Sequence, residues 1–329
     1  MAQVVNEYLS WHFSRLEVTG WCTTKRKGDY LSALRLLYAV CRLVVARITR
    51  RSHTFVVHMS QGGSFVREGC FVVAARTLGF PVAIQIHGSE FVPFAEARRR
   101  LVRTVVCRAD SVFVLTSPTR DVLRQLLAGR AVRPRIVQIP NAVAMPPLPS
   151  QKSPRVLMCG ELSLRKGTDL LLSAWEVVGE KHPDWVLQLA GPDRGDFADR
   201  ARSQKAVSYL GPLPREQVLD LAEQASVAVL PSRHEAMPMF LIEAMARGCA
   251  IVATPVGEVQ QLLGSAGLMA EVGDADSLAR SLDQLMSSSS RRSAMGQAAR
   301  ARAEDRYSEA AVKAILENEW LNIGRDDGQ

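Results

Sequence analysis

The amino-acid sequence predicts an α/β protein built as two halves, each around its own parallel sheet. Short β-branched runs alternate with longer stretches of helical period along nearly the whole chain, the pattern of strands joined by crossover helices. Between residues 140 and 154 the alternation stops, and Pro140, Pro146, Pro147, Pro149 and Pro154 crowd a stretch that no helix or central strand tolerates. At 329 residues the chain has length for two domains, each with its own core.

In the first half the strand candidates are residues 54–58, 82–86, 111–115 and 135–139, and the helix candidates between them are 31–48, 65–78, 95–108 and 118–127. After the proline-rich stretch the strand candidates are 155–159, 185–190, 207–210, 227–230 and 250–253, with helices at 167–178, 214–223, 239–247 and 275–286. This order predicts two Rossmann-like, doubly wound domains facing a cleft: one over residues 1–145, a linker over 146–154, and a second over 155–305. A last helix within 306–329 is expected to return to the first domain. Ligands in such sheets sit beyond the carboxyl ends of the strands, where loops lead into helices.

Composition narrows the function classes. Hydrophobic residues make up 47% of the chain, which marks it as globular. The most apolar stretch, 31–45, is interrupted by Arg35 and Arg42 and falls short of the roughly 18 to 20 residues that span a bilayer. Asn6, Glu7 and His12 break up the opening segment, which argues against a secretory leader, so the expected location is cytoplasmic. Cys22, Cys41, Cys70, Cys107, Cys159 and Cys249 form no C-x-x-C pair and read as buried free thiols. The net charge is +8, with Lys25, Arg26, Lys27, Arg47, Arg50 and Arg51 early and Arg98, Arg99, Arg100 and Arg103 following. No nucleic-acid module accompanies this charge. Peripheral contact with an anionic membrane and plainly solvated helix faces both remain open readings.

Two loops carry the candidate chemistry. In the first, Gly160 to Gly167, a glycine after a strand lets a ligand approach the backbone, and Lys166 stands just before a helix whose N-terminus adds partial positive charge. In the second, a strand ending at Leu230 feeds a loop with Glu235, Pro238 suits the first helical turn, and Glu243 falls about one turn inside the helix. Amides around Met237 to Phe240 are then placed to cradle a phosphate, while the two carboxylates address different parts of one ligand. Glu235 as a helix cap and Glu243 as a surface residue is the competing structural reading.

The segment Glu235-Ala236-Met237-Pro238-Met239-Phe240-Leu241-Ile242-Glu243 resembles the E-x7-E signature of glycosyltransferase family 4, and residues 249–257 continue the likeness. Gly160 to Gly167 is similar to that family's first donor loop, Gln85-Ile86-His87-Gly88-Ser89-Glu90 to its histidine loop, and Ile139 to Val143 to its exit from the first domain. The resemblance implies a GT-B fold and a retaining, metal-independent transfer without a cofactor. The nucleotide diphosphate sugar donor is expected on the second domain and the acceptor on the first. It implies catalytic roles for His87, Glu235 and Lys166, with Glu243 on the ribose and Glu235 on the donor sugar. Gly160, Glu161, Arg165, Lys166, Met237, Pro238, Met239, Phe240 and Leu241 complete the implied donor site.

Three departures from that family stand out. Glu161 occupies the position where arginine is usual and is expected to repel a diphosphate, with Arg165 as the candidate compensation. Ala236 stands where glycine is usual. The family's opening strand and Gly-Gly loop are not found, since residues 1–6 read as the helix that follows them, so the first domain is expected to lack its first strand here, with a start lying upstream favoured over a version that dispenses with the strand. On the acceptor side, Gly62, Gly63 and Ser64 lie at a strand-to-helix junction suited to a polar or phosphorylated acceptor, and equally to a tight turn. The expected acceptor is a glycan, a lipid-linked species or another hydroxyl, met at the inner membrane face. A GT-B protein without turnover and a sugar-nucleotide epimerase are the rival readings.

Overall fold

Four parallel strands form the sheet of the first unit in the computed structural model, which describes residues 2–23, 31–50, 53–88, 90–130, 133–149 and 151–323. Lys25, Arg26, Lys27, Arg51 and Ser89 lie outside these described residues. The first unit comprises residues 1–141 and 312–329, the second residues 142–311.

In unit 1 the order is α1 (Ala2–Ser10), α2 (Ser32–Ile48), β1 (Phe55–Met59), α3 (Gly63–Thr77), β2 (Val82–Ile86), α4 (Phe91–Ala97), α5 (Arg99–Val106), β3 (Ser111–Val114), α6 (Ser117–Leu126) and β4 (Arg135–Gln138). The sheet runs β1-β2-β3-β4, each strand parallel to the next in chain order, with Phe55 opposite Val82 and Met59 opposite Ile86. β2 and β3 are buried on both faces, which accounts for their nearly continuous apolar sequence. Phe65, Phe91, Met59, Ile84 and Leu123 fill the core between sheet and helices.

Where one helix was expected over 95–108, the chain forms α4 and α5 and steps at Arg98, whose φ of −123° and ψ of 38° leave the helical region. Among the described residues no strand precedes β1, which pairs with β2 alone and forms the sheet edge. Cys22, Cys41 and Cys70 are exposed, and only Cys249 is buried, so the expectation of buried thiols fails for most of them. Flanking apolar residues did not reveal exposure because Cys41 and Cys70 lie on the solvent faces of α2 and α3.

Unit 2 holds β5 (Ser153–Cys159), α7 (Thr168–Lys181), β6 (Val186–Ala190), α8 (Phe197–Ser203), β7 (Val207–Gly211), α9 (Arg215–Gln224), β8 (Ala225–Leu230), α10 (Met239–Ala246), β9 (Ala250–Ala253), α11 (Val259–Leu263), β10 (Leu268–Met269), α12 (Ala275–Met286) and α13 (Ser289–Tyr307). Its parallel sheet has the order β10-β9-β8-β5-β6-β7. Pro154 is the second residue of β5, and the β5–β8 register shifts between Ser153 and Val156, a break suited to a residue with no N–H to give the ladder. Residues 142–152 group with this unit, and Val143 bridges to Ser308.

The final helix, α14 (Glu309–Leu321), continues into unit 1. There Trp320 packs against Tyr8 and Phe13 at ring separations of 5.9 and 5.2 Å, and Glu317 accepts from the Ser14 hydroxyl and the Arg15 amide.

Candidate functional site

In unit 2 the strand order reverses between β5 and β8: β6 and β7 extend to one side of β5, while β8, β9 and β10 extend to the other. Loops leaving two such strands diverge and open a crevice at the carboxyl edge. The two loops singled out in the sequence are those that leave β5 and β8.

Backbone and side-chain bonds tie them together. The Arg233 amide donates to Arg165 O (2.8 Å), and its guanidinium grips both oxygens of Asp169 at 2.8 and 2.7 Å. Gly167 must be glycine: its φ is +71°, and a Cβ there would stand 2.0 Å from Pro231 O. Burial raises the Asp169 pKa, but the Arg233 hydrogen bonds and charge outweigh it and hold the carboxyl below its ordinary value.

Within the crevice Lys166 pairs with Glu235, and the Ser232 hydroxyl donates to the same Glu235 oxygen at 2.8 Å. Glu243 is the fifth residue of α10 and is 6% exposed; Arg215 Nε donates to its Oε1 at 2.9 Å. The Cys159 thiol, at the end of β5, is pushed up to about 11, first by burial and then by the Glu243 charge, with the Lys166 charge opposing.

 

Glu161 does not stand alone against an anion. Arg165 Nη2 lies 3.9 Å and Arg194 Nε 3.8 Å from its carboxylate. Arg194, from the loop after β6, was not singled out in the sequence; its place after a strand end was the available signal. Ala236 has no positive φ among the described residues, so alanine fits there without strain. The tight approach is met instead by Gly257, whose Cβ would stand 2.2 Å from Glu235 O at a φ of +57°.

Pro238 caps α10 from an extended conformation. Met237 and Met239 pack partly buried against the core, and Phe240 is buried in it, so Phe240 offers a ligand backbone rather than side chain. The side chain of Leu241 is fully buried and its amide donates to Pro238 O at 3.1 Å.

In unit 1, His87 follows β2 and is 5% exposed. Its Nε2 lies 2.9 Å from Nδ1 of His58, a residue of β1 that sequence reasoning did not select. Burial lowers the pKa of His58 to about 4 and that of His87 to about 3, the latter helped by the His58 charge, so both rings are neutral near pH 7. Gly62 caps α3 at a φ of 67°, Gly63 opens the helix, and Ser64 Oγ accepts from the Ser60 amide at 3.3 Å. Ser64 is thus engaged in the turn. Among the described residues no group of three or more His, Cys, Asp or Glu side chains is placed to hold a metal ion. No described helix is long and apolar enough to cross a membrane.

Residues 145–302, nearly all of unit 2, match the family described as glycosyl transferases group 1. This chain is a glycosyltransferase, and the similarity to group 1 lies in its second unit. An uncharacterized glycosyltransferase of Haemophilus influenzae is 28% identical to it over 248 residues, 71% of this chain and 68% of that one. A D-inositol 3-phosphate glycosyltransferase of Corynebacterium urealyticum is 32% identical over 173 residues, covering 48% of this glycosyltransferase and only 41% of its relative. The Anabaena HepE structure in complex with UDP superposes with a TM-score of 0.67 at 17% identity, over 89% of this chain and 84% of that one. At that identity the likeness shows the fold, which is GT-B.

Proposed function

We propose that this glycosyltransferase is a family 4 enzyme that moves a hexose, with retention of configuration, from a nucleotide diphosphate sugar bound by unit 2 to a hydroxyl acceptor. The observation that carries the reading is the pairing of Lys166 with Glu235 across the loops that leave β5 and β8, where the unit 2 strand order reverses, with Glu243 on the helix that follows the second loop. Lys166 and Glu235 neutralise each other within the crevice. A diphosphate draws the ammonium away, and Glu235 is released to accept hydrogen bonds from the sugar hydroxyls. Charge on the leaving diphosphate is met by Lys166, by Arg165 and Arg194, and by the first-turn amides of α10. Glu243 accepts from the ribose. His87 is proposed as a catalytic residue whose neutral ring can exchange hydrogen bonds with a hydroxyl. The two arginines beside Glu161 offset its charge and so support diphosphate binding at this loop.

The acceptor we propose is a phosphorylated or lipid-linked hydroxyl species met at the cytoplasmic face of an anionic membrane. The inositol phosphate relative supports the phosphorylated part of this reading. Helix α2 supports the membrane part: Leu34, Leu37, Tyr38, Val45 and Ile48 are 62, 61, 66, 59 and 74% exposed, and its only charged residues are arginines.

UDP, GDP and their sugar conjugates test the donor site. A nucleotide at a hundred times its Kd should stabilise the protein by about 2.7 kcal/mol. Lys166→Ala is expected to lower turnover roughly a hundredfold or more, and Glu235→Gln and Glu243→Ala to weaken donor use. Unchanged affinity and turnover in both acid variants, or a product of inverted anomeric configuration, would defeat the proposal.

A further inference from the structure

The two oxygens of Glu243 are unequally available. Arg215 is the first residue of α9, and both its Nε (2.9 Å) and its Nη2 (2.7 Å) reach Oε1. No hydrogen bond from a described residue to Oε2 accompanies these contacts. Although Glu243 is 6% exposed, Oε2 is not one of the sealed, unpartnered atoms of the structure and so keeps an accessible surface. Arg247 adds a second constraint, its Nη1 donating to the Glu243 carbonyl at 3.2 Å. The carboxylate is therefore held by one edge, with a single oxygen presented.

We infer that Arg215 is a positioning residue that orients Glu243 so that Oε2 alone meets the ribose of the donor nucleotide. The inference rests on the reading of Glu243 as the ribose acid. A guanidinium holding one oxygen with two nitrogens fixes the rotation of the carboxylate as well as its charge. An incoming vicinal diol then finds its acceptor in place and loses less freedom on binding. The side chain of Arg215 is 45% exposed, so the ion pair adds little to folding stability, and its removal should leave the fold standing.

The test compares ribo- and 2′-deoxyribonucleotides. Calorimetric Kd values are measured for UDP, GDP and their 2′-deoxy forms, using the base that the wild type binds more tightly. The wild type should prefer the ribonucleotide, and Glu243→Ala should bring the ratio near one. Arg215→Ala is expected to reduce that ratio roughly fivefold or more, with Arg215→Lys, which keeps the charge but not the two-nitrogen grip, falling between. A ratio in Arg215→Ala that stays at the wild-type value, while Glu243→Ala abolishes it, overturns the role of Arg215 and leaves the ribose reading intact. A wild-type ratio already near one removes the ribose reading itself. If Arg215→Ala does not fold, Arg215→Lys decides: an intermediate ratio supports the role and a wild-type ratio overturns it.

Discussion

His58 and His87 show how a residue can be decisive and yet nearly invisible in sequence. His87 stands in a loop after a strand and drew notice there. His58 lies within β1 and carries no signal of its own, because its partnership depends on the parallel register that sets it opposite Gln85, two positions before His87. Both rings are held neutral mainly by burial, with folded pKa values of about 4 and about 3. The unfolded chain takes up protons at its ordinary value of about 6.5, so between that pH and the folded values the unfolded state binds more protons. Stability is then complete above about 6.5 and declines as pH falls, by up to about 1.4 kcal/mol per pH unit for each histidine. Urea unfolding at pH 7.5 and 5.0 should show this decline, and His58→Gln should make it shallower. Equal pH dependence in the variant and the wild type would show that the pair does not titrate as its burial requires.

At the scale of elements, the loops leaving β5 and β8 behave as one structure. Each was legible in the sequence, because a glycine or proline follows a β-branched run and a helix comes next. Their joining was not legible. Arg233 and Asp169 are 64 residues apart and meet only because β8 lies beside β5 in the sheet. Likewise Arg215 reaches Glu243 because α9 and α10 stand together, and the Leu241 amide closes the first turn of α10. The Arg233–Asp169 pair is two-pronged and its side chains are 29 and 24% exposed, so it should be stronger than an ordinary surface pair. A double-mutant cycle with Arg233→Gln and Asp169→Asn is expected to give a coupling of about 1 to 2 kcal/mol at neutral pH. The depressed Asp169 pKa fixes the sign of its pH dependence: the coupling is present above the ordinary aspartate value of about 3.9 and is lost as pH falls through the folded one. Coupling near zero at pH 7 would mean that the loops are held by backbone bonds alone.

Over the whole molecule, two parallel sheets were legible because alternating strands and helices admit few other arrangements, whereas surface properties were not. Helix α2 is apolar on both sides, so its period does not say which side faces the core; the structure buries Ala39, Leu43 and Ala46 and leaves Leu37, Tyr38, Val45 and Ile48 outside. Arg35, Arg42 and Arg47 are its only charged side chains, and the chain carries a net charge of +8. Pairing this face with a second copy would bring arginines together, whereas an anionic bilayer neutralises them and receives the apolar side chains. The glycosyltransferase should therefore float with vesicles containing anionic lipid at low ionic strength and release as salt shortens the Debye length below about 10 Å. Leu37→Asp with Ile48→Asp should abolish flotation while leaving nucleotide binding in unit 2 unchanged. Neutral vesicles that carry the protein equally well would remove the electrostatic half of this argument, and a salt-stable dimer through α2 would remove the rest.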